Sequence, residues 1–110
     1  MNFDTFMFRL KQWMDQPHMF VVDNVRMKEI KSACESLKKI VGTKTEIEID
    51  ENILNDGSIA ISVEVDEIVV TNIQDFVSII KTANNFEVYP LLNGNIKFAI
   101  MFEDAMKLIK

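Results

Sequence analysis

The chain has 110 residues, 48% of them apolar, and sets 12 Lys and Arg against 17 Asp and Glu for a net charge of −5. So much apolar side chain at so low a charge excludes intrinsic disorder, and the length suits one compact domain burying about two-thirds of its unfolded surface. Apolar runs of no more than five residues fall far short of the roughly 20 that a membrane span needs.

The charge is distributed unevenly. Residues 1–44 carry net +3, residues 45–80 carry −9 with no Lys or Arg, and residues 81–110 carry +1. Met1-Asn2-Phe3-Asp4 has neither the basic segment nor the cleavage site of a signal peptide, so the expected location is cytoplasmic. A single cysteine, Cys34, fits that compartment because it can form no internal disulfide. Three glycines and two prolines leave no linker. The expected layout is one domain over 1–110, with a helical pair in 1–42 and two hairpin–helix units in 43–110.

The first element is an amphipathic helix. Phe3, Phe6, Met7, Leu10, Trp13 and Met14 fall within about 120° at roughly 100° per residue. Pro17 ends it, and Phe8 alone breaks the pattern by standing among Asp4 and Gln12. His18 to Val22 reads as a short extended or looped stretch. A second helix, capped by Asp23 or Asn24, runs to Val41 and stops at Gly42. Its apolar stripe is Met27, Ile30, Cys34, Leu37 and Val41, and its far face holds Lys28, Lys31, Lys38 and Lys39 around Glu35.

Thr45-Glu46-Ile47-Glu48-Ile49-Asp50 alternates as a half-buried strand does. A turn at Asn55-Asp56-Gly57 leads to a second alternating run, Ile59 to Val65, which predicts a hairpin. The alternation breaks at Asp66-Glu67, predicting a bulge or a tight turn. Thr71 with Gln74 reads as a capping box, opening a third helix with Ile73, Phe76, Val77, Ile80 and Ala83 inward. Phe86–Leu91 and Ile96–Met101 flank Asn93-Gly94 as a second hairpin, in which Pro90 marks an edge strand. A last helix is expected through Phe102, Ala105, Met106 and Ile109. Asp56-Gly57-Ser58-Ile59 echoes Asn93-Gly94-Asn95-Ile96, a likeness that turn chemistry alone accounts for. These elements predict an α+β fold in the order α-α-β-β-α-β-β-α. Two hairpins would form a mainly antiparallel sheet with helices on one face.

The reactive side chains are few. His18 sits in no metal-ligand spacing, and Cys34 lies on an apolar stripe where a thiol behaves as a small hydrophobe. Glu46, Glu48 and Asp50 share a strand face that Glu64 extends, but Ile47 and Ile49 claim the core, which leaves the carboxylates to solvent. The loop from Asp50 fails the calcium-loop pattern, with Leu54 fifth, Asn55 sixth and Ile61 twelfth. No catalytic, metal or cofactor residue is assigned.

The expectation is therefore a small soluble, non-enzymatic binding, regulatory or accessory domain. It would act by contact with an unidentified protein partner or by self-association as a homodimer. Phe8, out of phase on the polar side, and Trp13, on the stripe of the same helix, are candidate contacts because aromatics are enriched at interface cores, and Glu46, Glu48 and Glu64 as an acidic face that steers a basic partner. The alternative is a nucleic-acid-binding protein using Lys28, Lys31, Lys38 and Lys39 on phosphates. Glu35 in their midst and the acidic net charge count against it, and no membrane partner is expected.

Overall fold

The computed structural model describes residues 1–15, 20–22, 24–42, 45–54 and 56–108, with side chains except at 13–15, 20–22, 24, 51, 54 and 106–108. Helix α1 (Phe3–Asp15) buries Phe3, Phe6 and Leu10, as its spacing predicts. The Thr5 N–H donates to Asn2 Oδ1 at 2.9 Å and satisfies part of its first turn. Strand β1 (Phe20–Val22) confirms an extended segment there. Helix α2 (Asn24–Val41) buries Met27, Ile30, Ala33, Cys34, Leu37 and Ile40. Ile40 lies deeper than Val41 because α2 is flanked on both sides and needs a wider apolar arc. Gly42, at φ 87°, ends the helix by donating its N–H to the Lys38 carbonyl at 2.9 Å.

The remaining elements are β2 (Ile47–Ile49), a single helical turn α3 (Glu51–Leu54), β3 (Ile59–Val65), α4 (Ile73–Thr82), β4 (Asn85–Pro90), β5 (Ile96–Phe102) and β6 (Met106–Leu108). Four strands form one antiparallel sheet in the order β2-β3-β5-β4. Pro90 lies on terminal strand β4, where the missing N–H was expected. Ile59, Ile61, Val63 and Val65 stand opposite Phe102, Ile100, Phe98 and Ile96, so both hairpins present one apolar face. That face and the helices enclose a common core, each fully buried Ile or Phe contributing about 1.5–3 kcal/mol.

The helix layer follows the strand order. The main chain of Met1, just before α1, exchanges hydrogen bonds with Ile47 of β2 at 3.0 and 2.6 Å. Helix α2 lies between α1 and α4, linked by Lys38 to Asp4 at 3.0 Å and by Lys39 to Asp75 at 3.9 Å. Helix α4 ends at Thr82 and β4 begins at Asn85, so α4 lies at the β4 border of the molecule.

Several expectations are corrected. The last helix is absent: β5 continues through Phe102, and β6 pairs with β1, Phe20 opposite Leu108. Phe102 and Ala105 are buried in the core, and Asp104 at φ 60° turns the chain between the two strands. Ile109 lies outside the described residues. The second hairpin thus leads to a strand rather than a helix, and the hairpin–helix unit is not repeated. Asp56-Gly57 does not close a tight hairpin but ends α3, with the Ser58 N–H reaching back to the Ile53 carbonyl at 3.3 Å; Asn55 lies outside the described residues. At Asp66 the strand simply ends, because the Val69 N–H turns to the Ile40 carbonyl of α2 at 3.1 Å. The α4 cap is Asn72, whose Oδ1 accepts from the Gln74 N–H at 2.9 Å, rather than Thr71. The α4 stripe is also rotated: Asp75 and Ile79 face inward, while Ile73 and Ile80 stand exposed. No helix among the described residues is long and apolar enough to cross a membrane.

Candidate functional site

Among the described residues, the second face of the sheet carries no buried side chain. Strand pairing builds it in rows: Glu48–Ser62–Ala99–Glu87, then Glu64–Lys97–Tyr89, then Ala60–Met101–Asn85. Small residues occupy the centre and longer ones the margins, leaving a hollow of about 380 Å³ lined by Glu46, Glu48, Ser62, Glu64 and Lys97. The structure thus brings together the three carboxylates singled out in the sequence. Glu46 Oε2 lies 2.7 Å from the Met1 amine, and Glu64 Oε2 accepts from Asn95 Nδ2 at 3.0 Å. Lys97 stands directly across from Glu64, an opposite-charge pair that dilutes the negative field at one end of the hollow. Among the described residues, no three His, Cys, Asp or Glu side chains come close enough to share a metal ion.

Phe8 is 61% exposed. With Met7 it lines a shallow cleft between α1 and α2, among Asp4, Lys11, Lys31, Glu35 and Lys38. The Trp13 side chain and His18 lie outside the described residues. Of the lysines on α2, Lys28 and Lys39 are exposed and Lys31 and Lys38 half-buried. Lys38 pairs with Asp4 and Lys39 with Asp75, so acidic neighbours already share two of the four charges a phosphate backbone would need. Cys34 is fully buried, and that burial, with Glu35 adding to it, pushes its thiol far above the ordinary 9.0. A nucleophilic cysteine needs the opposite surroundings, exposure and a nearby positive charge.

Sequence reasoning missed the surface at the β4 border. Ile73 and Ile80 of α4 are exposed there, as are Val88, Tyr89 and Leu92 on and after β4, while Val69 and Val70 are exposed in the connection that meets the end of α2. Around α4, Asp75 faces α2 and Ile79 the core; Ile80, Ile73 and half-buried Val77 follow on the flank away from α2. The available signal was width. With Ile79 included, the apolar arc of α4 spans about 160°, more than a helix covered on one side requires. Comparisons with known proteins found no matching family model, no matching curated protein and no matching solved structure.

Proposed function

We propose that the chain is a non-enzymatic contact domain that works by binding protein surfaces, its own included. The observation that carries this reading is the apolar flank of α4, where Ile73 is 64% and Ile80, two helical turns on along the same side, 56% exposed. Contiguous exposed apolar side chains mark contact sites, because a free monomer gains nothing from leaving them in water. The open acidic face supports the same reading, since Glu46, Glu48 and Glu64 would draw a basic partner toward the sheet. The burial of Cys34 supports the non-enzymatic reading, because a nucleophilic thiol works from an exposed position.

Affinity capture from the cells that encode the protein tests the reading, comparing the tagged chain with an Ile73→Asp/Ile80→Asp variant. Both substitutions fall on exposed positions, so the variant keeps its circular dichroism spectrum and melting cooperativity. The expected result is a stoichiometric protein, a different chain or untagged copies of this one, held by the parent and lost from the variant. Equal retention by both, or retention by neither, refutes the proposal.

A further inference from the structure

We infer that the β4 border receives a second copy of the chain, joined by antiparallel pairing of β4 with β4 about Val88. The inference rests on the contact reading above and names its partner. The two ends of the sheet differ. At β2 the main chain of Met1 already occupies the edge at Ile47, whereas β4 is terminal and exposed at every residue but the half-buried Phe86.

Ladder phase decides what that edge offers. The Leu91 N–H donates to the Asn95 carbonyl at 2.8 Å, in the register that pairs Tyr89 with Lys97 and Glu87 with Ala99. Main-chain groups alternate in direction along an antiparallel strand, so Asn85, Glu87 and Tyr89 bond to β5 while Phe86, Val88 and Pro90 turn outward. Proline has no N–H to offer. The free edge therefore holds the Phe86 and Val88 donors and the carbonyls of all three outward residues.

A two-fold axis at Val88 uses both donors. The Val88 N–H meets the carbonyl of the partner's Val88, and the Phe86 N–H meets the carbonyl of the partner's Pro90, each reciprocally. The same register sets Glu87 beside the partner's Tyr89 on the open face, a carboxylate acceptor against a phenol donor. The other symmetric register that employs both donors places Glu87 against the partner's Glu87, and like charges directly opposite are destabilising. On the core face Val88, 47% exposed, meets its own counterpart. Because α4 flanks the same border, the two copies also bring their Ile73 and Ile80 flanks together above the joint.

Sedimentation of the purified full chain at micromolar concentration, with cysteine cross-linking, tests the pairing. The expected mass is twice 12.7 kDa. Val88→Pro removes an N–H that makes no bond to β5, and is expected to halve the mass. Under mild oxidation Val88→Cys is expected to give a covalent dimer, since directly opposed residues lie about 5.5 Å apart at Cα, within disulfide range. Glu87→Cys is expected to stay uncrosslinked, and the buried Cys34 takes no part. A monomeric parent chain overturns the inference, as does a Glu87→Cys dimer without a Val88→Cys one. If the parent is monomeric while Ile73→Asp/Ile80→Asp still abolishes capture of a different protein, the pairing alone falls and the contact reading stands.

Discussion

Asn84 Oδ1 accepts from Arg26 Nη2 at 2.6 Å and, at the same time, from the Glu103 N–H at 2.8 Å. Arg26 Nε donates in turn to the Glu103 carbonyl at 2.9 Å. One side-chain oxygen thus ties the first turn of α2 to the α4–β4 joint and to the end of β5. Asn84→Ala is expected to lower stability by about 1–2 kcal/mol, the range for hydrogen bonds to a charged group in a partly exposed setting. Asn84→Asp keeps the acceptor and adds a charge beside Arg26, so it is expected to match the parent. Urea midpoints check both, and equal losses in the two variants would show that the oxygen is not the tie.

The start of α4 offers a test of adjacent positions. Asn72 caps the helix through Gln74, and the Thr71 side chain is exposed. Asn72→Ala is expected to cost about 1 kcal/mol, the usual loss for an N-cap. Thr71→Ala is expected to be neutral within a few tenths of that value. Thermal unfolding of the two variants checks the assignment, and the reverse order would restore the cap read from the sequence.

Cys34 predicts a pH dependence. Its folded thiol lies above the ordinary 9.0 through burial, with Glu35 adding. Between those values the unfolded chain releases the proton and the folded chain keeps it, so the unfolded state binds fewer protons and stability falls as pH rises. This contribution is complete below the ordinary thiol value and declines above it. Cys34→Ala is expected to flatten the alkaline limb of stability against pH. In the native parent, a thiol reagent at pH 8 is expected to react only as fast as the protein opens. Rapid labelling without unfolding would contradict the burial.

The open face carries its own test. Reversing Glu46, Glu48 and Glu64 to Lys alters exposed positions and is expected to leave the sheet folded, at a modest cost in stability where position 64 then repels Lys97 and position 46 the Met1 amine. Capture of a basic partner is expected to weaken, with the difference shrinking as salt screens both chains. Unchanged capture at low salt would remove the acidic face from the contact reading. Lys31→Glu/Lys38→Glu addresses the nucleic-acid alternative by titration with duplex and single-stranded probes. Binding that falls steeply with salt and disappears in that variant would favour the alternative.

Periodicity made much of the fold legible. The stripe of Phe3, Phe6 and Leu10, the alternation from Ile59 to Val65 and the edge position of Pro90 all follow from local rules about faces and donors. The misreadings share a different cause. Phe102 and Ala105 match a helix stripe as well as they match the end of a strand, and the decision came from distant partners that no local pattern reveals, Ile59 of β3 opposite Phe102 and β1 beside Met106–Leu108. The rotation of α4 has the same origin: the side that meets α2 and the core holds Asp75 and Ile79, which leaves Ile73 and Ile80 on the outer flank. Among the site residues, alternation sufficed to place Glu46, Glu48 and Glu64 on one face. The β4 border stayed hidden because exposure of an apolar residue depends on what the rest of the chain leaves uncovered.

The pairing of Phe20 with Leu108 sets a timetable for synthesis. A ribosome delivers β1 early, yet its hydrogen-bonding partner emerges only after nearly every other element. Helices α1 and α2 can meet while the chain is growing, but the sheet needs β5 to join its two halves, and β1 must wait longer still. The nascent chain is therefore expected to carry an unpaired apolar strand, Phe-Val-Val, for most of its translation. Arrested chains that end before β6 are expected to be cut readily by protease within β1, and chains in which Met106–Leu108 can pair with it to resist.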